Sequence, residues 1–258
     1  MDDARIITMK TDAEFDKMAT AGACVAAVHA VVRDVAAPGV SMKELDRMAA
    51  EVIRDHECRS SFLGYHGFPA TICTSPNEVI VHGIPGDYRL RRGDILSVDA
   101  GAIYDGWHAD AAFTMAIGEV DASVRTLLDE TERALWEGLA LARAGKRLGD
   151  IGDAIESVAR PHGYGVVREY IGHGIGRQMH EAPNVPNYGK PGQGYRLKVG
   201  MALAIEPMFN LGTSETVLRD DGWTVVTADG KLSAHFEHTV AVTAEGPRVI
   251  TLAEPKVL

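Results

Sequence analysis

Residues 88–99 read YRLRRGDILSVD, and residues 195–206 read YRLKVGMALAIE. The two stretches stand 107 positions apart. Each passes from Tyr-Arg-Leu into a short apolar run that closes on an acid, Asp99 in the first and Glu206 in the second. A run of that length and texture reads as a buried strand. The same offset carries His66-Gly67 onto His173-Gly174 and Asp46 onto Asp153. His108-Ala-Asp110 resembles His235-Phe-Glu237 at an offset of 127, so the second copy holds about 20 more residues. Acids and His-Gly pairs that align at one spacing point to internal duplication, with halves at about 11–117 and 121–245 within one domain, 1–258.

The segments around the repeat fit that reading. Thr11-Asp12-Ala13-Glu14 is a capping box, and Phe15, Met18, Gly22, Val25, Val28, Val32 and Val35 follow at helical spacing. Pro38-Gly39 breaks this helix, and Ser41-Met42-Lys43-Glu44 caps a second with Leu45, Met48, Val52 and Ile53 on one side. From Ile72 the texture changes to short β-branched runs. A second helix pair is predicted over roughly 121–144 and 149–162, with strands again from Val166. The fold class expected is α+β: two similar halves whose strands join in one curved antiparallel sheet, with two helix pairs on its outer face.

Composition narrows the function. Of 258 residues, 46% are hydrophobic, enough for one large core. The net charge of −10, with no basic run, argues against nucleic acid as a partner. Cys24, Cys58 and Cys73 are odd in number and lack CxxC spacing, so neither a disulfide framework nor a Cys-rich zinc site is expected. The polar start MDDARIITMK has no apolar core of a secretory signal, and no 18-residue apolar run reads as a membrane span. A cytoplasmic protein without membrane association is expected.

The chemistry lies in the acids. Ile95–Gly101 and Ala109–Met115 flank Tyr104-Asp105-Gly106, a hairpin-turn signal. A turn centred between Tyr104 and Asp105 opposes Asp99 to Asp110 directly; a turn on Asp105-Gly106 makes them diagonal neighbours. Either register puts both carboxylates on one face, roughly 5–8 Å apart. Glu206 and Glu237 lie in similarly apolar strands. Four converging carboxylates carry −4, which two divalent cations would neutralise. Oxygen-rich ligation suits ions such as Mn²⁺, Fe²⁺ or Co²⁺, and a close metal pair activates water for hydrolysis. His66, His82, His173 and His180 sit in Gly-rich loops beside these strands, whereas His29, His56 and His162 fall in helix patterns and read as structural. Gly172–Gly176 lacks the GxGxxG spacing, and there is no GxSxG or Cys/His nucleophile signature.

Seven motifs then carry a resemblance: VHGIP at 81–85, SVDAG at 97–101, GWHAD at 106–110, GHGIGR at 172–177, MHEAP at 179–183, IEP at 205–207 and FEHT at 236–239. In this order and spacing, the chain from about residue 6 to 252 resembles type I methionine aminopeptidase, a metallopeptidase family with the pseudo-two-fold "pita-bread" fold. The resemblance implies that Asp99, Asp110, His173, Glu206 and Glu237 hold two divalent ions (Co²⁺, Mn²⁺, Fe²⁺ or Zn²⁺). Asp110 and Glu237 would be shared, Asp99 would complete one site, and His173 and Glu206 the other. It makes Glu206 the proton shuttle, brings His82 to the scissile amide nitrogen and His180 to the carbonyl oxygen, and lines the methionine pocket with Tyr65, His66, Phe68, Cys73 and Trp223. The substrates implied are N-terminal segments of nascent polypeptides near the ribosome, cut by a monomer when the second residue is small. Met179 departs from enterobacterial members, which carry an aromatic there.

Two other readings share the fold. Xaa-Pro aminopeptidase or prolidase relatives have a separate N-terminal domain, whereas only about 60 residues precede YHGFP here. A type II methionine aminopeptidase carries an insertion for which the 31 residues from Glu206 to Glu237 leave little room. A non-enzymatic pita-bread binding protein would lack metal ligands that this chain retains.

Overall fold

A computed structural model describes residues 6–258, so the first five residues of the polar N-terminal stretch lie outside it. Helix α1 (Asp12–Val35) starts at Thr11 and α2 (Met42–Asp55) at Ser41, both through capping boxes closed by Glu14 and Glu44. Each box satisfies backbone N–H groups that a helix start leaves free, worth about 1 kcal/mol apiece. Helices α3 (Ala122–Ala140) and α4 (Leu148–Ala159) form the second pair. Both end short of the sequence expectation: α3 gives way to a turn at Leu141, and α4 tightens into a 3₁₀ turn over Arg160–His162, where Pro161 supplies no N–H.

The main sheet is antiparallel throughout the path that carries the acids. Cys73–Pro76 pairs with Ile95–Tyr104, which pairs with Trp107–Ala116; then follow Glu237–Val242, Ala202–Ile205, Gly172–Gly174 and Glu181–Val185. Strand geometry sends alternate residues to opposite faces. Val98, Ala100, Ala109 and Ala111 therefore point together, and they share one buried cluster with Cys24, Val25 and Val28 of α1 and Leu135 of α3. Asp99 and Asp110 point the other way.

Helix α1 is long and apolar enough, at 24 residues and mean hydropathy 1.3, to cross a membrane by length and composition. The sheet covers its apolar side instead: Met18, Val25, Val28 and Val32 are fully buried. Gly22 on that side marks the closest approach, because a Cβ there would lie 2.0 Å from the Ile250 carbonyl oxygen. In a free helix Gly→Ala stabilises by about 1 kcal/mol. Here overpacking of about 1–3 kcal/mol opposes that gain. Gly22→Ala is therefore expected to lower the melting temperature by a few degrees, where an exposed helical glycine would raise it; calorimetry decides the sign.

Candidate metal centre

The hairpin turn falls on Asp105-Gly106, both at positive φ (47° and 76°), so Tyr104 pairs with Trp107 and Gly101 with Asp110. That is the second of the two registers open to the sequence, and it makes Asp110 the diagonal neighbour of Asp99. Across the next strand Glu237 opposes Ala112, two residues from Asp110 and on its face. Ile205 opposes His238, which brings Glu206, just past the strand end, beside Glu237. His173 opposes Ala204, two residues from Glu206. Five residues from both halves of the sequence thus converge on one face. The His173 Nε2 lies 3.7 Å from Asp110 Oδ2 and 3.8 Å from Glu206 Oε1.

Neighbouring groups fix these side chains. The His173 Nδ1 lies 2.9 Å from the Gly174 carbonyl oxygen, so its proton sits there and Nε2 offers a lone pair to the acids. The Asp110 N–H donates to Thr239 Oγ1 at 3.1 Å, and the same hydroxyl lies 3.0 Å from Asp110 Oδ1. The Asn187 amide donates to the Glu206 carbonyl oxygen at 2.9 Å.

Burial raises every acid, and repulsion from neighbouring acids adds to it at Asp99, Glu206 and Glu237. Glu206 is pushed up to about 8 by desolvation and then by the Asp110 charge. Desolvation lifts Asp110 to about 6. Asp99 and Glu237 are held well above the usual carboxylate range, by burial first and by the other acids next. Among the described residues no lysine or arginine lines the cavity, and Asp99 Oδ1 is buried without a hydrogen-bond partner. An acceptor left so costs roughly 1–3 kcal/mol. Four acids and one imidazole with no protein cation between them are a donor set that fits divalent metal, and Asp110, His173 and Glu237 lie close enough together to share one ion.

The acids form the floor of a cavity of about 290 Å³. Its apolar wall is Phe62, Phe68, Cys73 and Met179, all buried, with Tyr65 and Trp223 packed against them and Phe68 edge-on to Trp223 at 5.1 Å. His66 stands exposed at the rim with φ 47°. The Cys73 thiol pairs across the strands with Asp99 and is raised well above its ordinary value by burial and that charge. It stays protonated, a wall and not a nucleophile. Val81 pairs with Val225, and this short ladder brings the following His82 edge-on to Trp223, 6.4 Å between rings. His82 is held at φ 60°, a conformation that costs a side chain about 1 kcal/mol or more. His180 lies on the opposite side, with Nδ1 2.7 Å from the Tyr65 hydroxyl and its ring 4.2 Å from that of His173. Burial lowers both His82 and His180 to about 4, so both are neutral imidazoles.

Every site residue singled out from the sequence lines this cavity. His29, buried against Phe113, and His162, stacked on Tyr164, lie away from it. One wall residue escaped the sequence reading, Phe62 in an unpatterned loop; Met179, marked in the sequence by its departure from an aromatic, stands in the wall with it. His235 escaped too, although its two-residue spacing from Glu237 signals a shared face.

The profile of metallopeptidase family M24 matches residues 16–244. The chain is 49% identical to "Methionine aminopeptidase 1" of Mycobacterium tuberculosis over 96% of each chain, and 46% identical to "Methionine aminopeptidase 1" of Bacillus subtilis over 95% of this chain and 99% of that one. It superposes on methionine aminopeptidase from Thermotoga maritima with a TM-score of 0.94 and 41% identity, covering 96% and 100% of the two chains. Prolidase from Pyrococcus furiosus has the same fold at a TM-score of 0.78 and 21% identity, and this chain spans 67% of it.

The raised acids make metal-free stability pH-dependent. A carboxyl whose folded value is raised binds protons more tightly when folded, so stability falls as pH rises toward that value. The lowered imidazoles act oppositely, adding stability as pH rises from about 4 to 6.5, the ordinary value. Between pH 6.5 and about 8 the acids of the centre still titrate whereas its imidazoles no longer do. The chelated protein is expected to lose at least about 2 °C of melting temperature over that window. Saturating Mn²⁺ or Co²⁺ should abolish the loss, and a flat chelated profile would contradict the clustering of charge.

Proposed function

The chain belongs to metallopeptidase family M24, and we propose that it removes the N-terminal methionine of proteins and peptides with two divalent ions held by Asp99, Asp110, His173, Glu206 and Glu237. The carrying observation is the juxtaposition of that donor set with an apolar-walled cavity on the same sheet face. Asp110 and Glu237 would serve both ions, with Asp99 completing one site and His173 and Glu206 the other. The bound ions supply positive charge that activates a water and polarises the scissile carbonyl.

The chain's own groups do the rest. Glu206, kept ionised by the bound ions and placed beside Glu237 at the strand end, takes the proton from the attacking water and passes it to the leaving amine. The Tyr65 hydroxyl lies 2.7 Å from His180 Nδ1, and the tautomer that accepts from it carries the imidazole proton on Nε2, where it stabilises charge on the carbonyl oxygen. His82, braced by Trp223 and Tyr170, contacts the amide nitrogen. Phe62, Tyr65, Phe68, Cys73, Met179 and Trp223 enclose an unbranched thioether, which polarisable sulfur and aromatic edges favour. The substrates are N-terminal segments of nascent polypeptides in the cytoplasm, and the enzyme acts as a monomer; the cellular metal is one of Co²⁺, Mn²⁺, Fe²⁺ or Zn²⁺.

The decisive experiment is kcat/KM over tripeptides, before and after chelation. Met-Gly, Met-Ala and Met-Ser starts should be cut well, and Met-Leu and Met-Lys poorly. Norleucine should replace methionine, and leucine, branched at Cγ, should lose about 10–200-fold. Chelation should abolish all turnover and metal restore it. Equal rates for Met-Ala-Ser and Leu-Ala-Ser, or preference for Xaa-Pro, would place the chain with the proline-specific branch; a chain that binds no metal would be a binding protein.

Removal of the His82 imidazole tests its role separately. His82→Ala should bind metal normally yet turn over roughly 10²-fold more slowly. Wild-type turnover would assign the amide contact elsewhere.

A further inference from the structure

His235 ends the short strand Ser233–His235, paired to Met208–Asn210 with Met208 opposite it. Its backbone is pinned on both sides by one hydroxyl: the His235 N–H donates to Thr114 Oγ1 at 2.9 Å, and the Thr114 hydroxyl donates to the His235 carbonyl oxygen at 2.8 Å. The side chain is 2% exposed and points into the acid cluster, where Nε2 has no hydrogen-bond partner. That nitrogen lies 3.7 Å from Glu206 Oε2 and 4.0 Å from Glu237 Oε2.

Those separations are too long for hydrogen bonds. They are, however, the spacing of neighbouring donors around one ion, since two atoms each about 2.1 Å from a metal stand about 3–4 Å apart at ordinary coordination angles. His173 shows the same relation, 3.8 Å from the other oxygen of Glu206. Glu206 therefore has an imidazole nitrogen facing each of its carboxylate oxygens, and Glu206, His235 and Glu237 by themselves lie close enough to hold an ion. A buried nitrogen without a partner, fixed by its backbone among acids, is a ligand position.

We propose that His235 is a sixth donor of the metal centre and gives the ion at Glu206 a second imidazole nitrogen. The inference rests on the two-ion reading above and adds a residue to it. Its chemical consequence is selectivity: imidazole suits Zn²⁺, Co²⁺ and Fe²⁺, whereas carboxylate and water suit Mn²⁺. The second imidazole tilts this chain toward the former group.

The test uses the full chain carrying ¹⁵N-labelled histidine, stripped by chelator and titrated with Zn²⁺. The Nε2 resonances of His173 and His235 should both move to metal-bound positions at saturation. Movement of His173 alone would overturn the proposal while leaving the proposed function intact; movement of neither would overturn both. His235→Gln should lower the preference for Zn²⁺ over Mn²⁺ by about tenfold or more. A residue that only orients Glu206 would weaken both ions in proportion, so an unchanged ratio also overturns it. Should the variant fail to fold, the wild-type spectrum still decides.

Discussion

Asp99, Asp110, Glu206 and Glu237 reach one face of one sheet, and burial lifts each above the value of a free carboxyl group. Two unit charges 4 Å apart in partly screened surroundings interact by about 4 kcal/mol, so the four cannot stay ionised together unless something cationic joins them. Among the described residues no lysine or arginine stands at the cavity to supply that cation. Divalent metal is the remaining way to keep the acids charged near neutral pH, and the rest of the centre is arranged around that requirement.

Holding such a cluster requires a frame that does not relax. Ligands on paired strands meet it: positions are set by ladder register, and apolar residues on the reverse face lock the sheet against α1 and α3. The Asp105-Gly106 turn decides the offset between Asp99 and Asp110, and positive φ at both turn residues matches the twist of the flanking strands. Thr239, Gly174 and Asn187 then remove the freedom left to Asp110, His173 and Glu206.

The same burial that raises the acids lowers the imidazoles. His82 and His180 are neutral near pH 7, able to donate one hydrogen bond and accept another without adding positive charge beside the acids. Cys73 follows the same logic and stays a thiol. One low-dielectric cavity thus sets the state of three residue types, and its apolar wall is the pocket that the proposed function assigns to a methionine side chain.

Much of this was legible in the sequence because it is local or periodic. Capping boxes at Thr11 and Ser41 need only residues three apart, the buried runs ending at Asp99 and Glu206 need only hydrophobicity, and the motif series carried the family and its fold. The acids announced themselves as charges inside apolar strands, a placement that demands an explanation. Tertiary structure alone chose between the two hairpin registers, because the turn conformation decides the pairing and Tyr104-Asp105-Gly106 permits both. It alone brought Phe62 into the cavity wall, since loop residues carry no period. And it alone turned His235 toward Glu206: the spacing from Glu237 gives a shared face, but the distance to an oxygen 29 positions earlier in the chain exists only once the strands have paired.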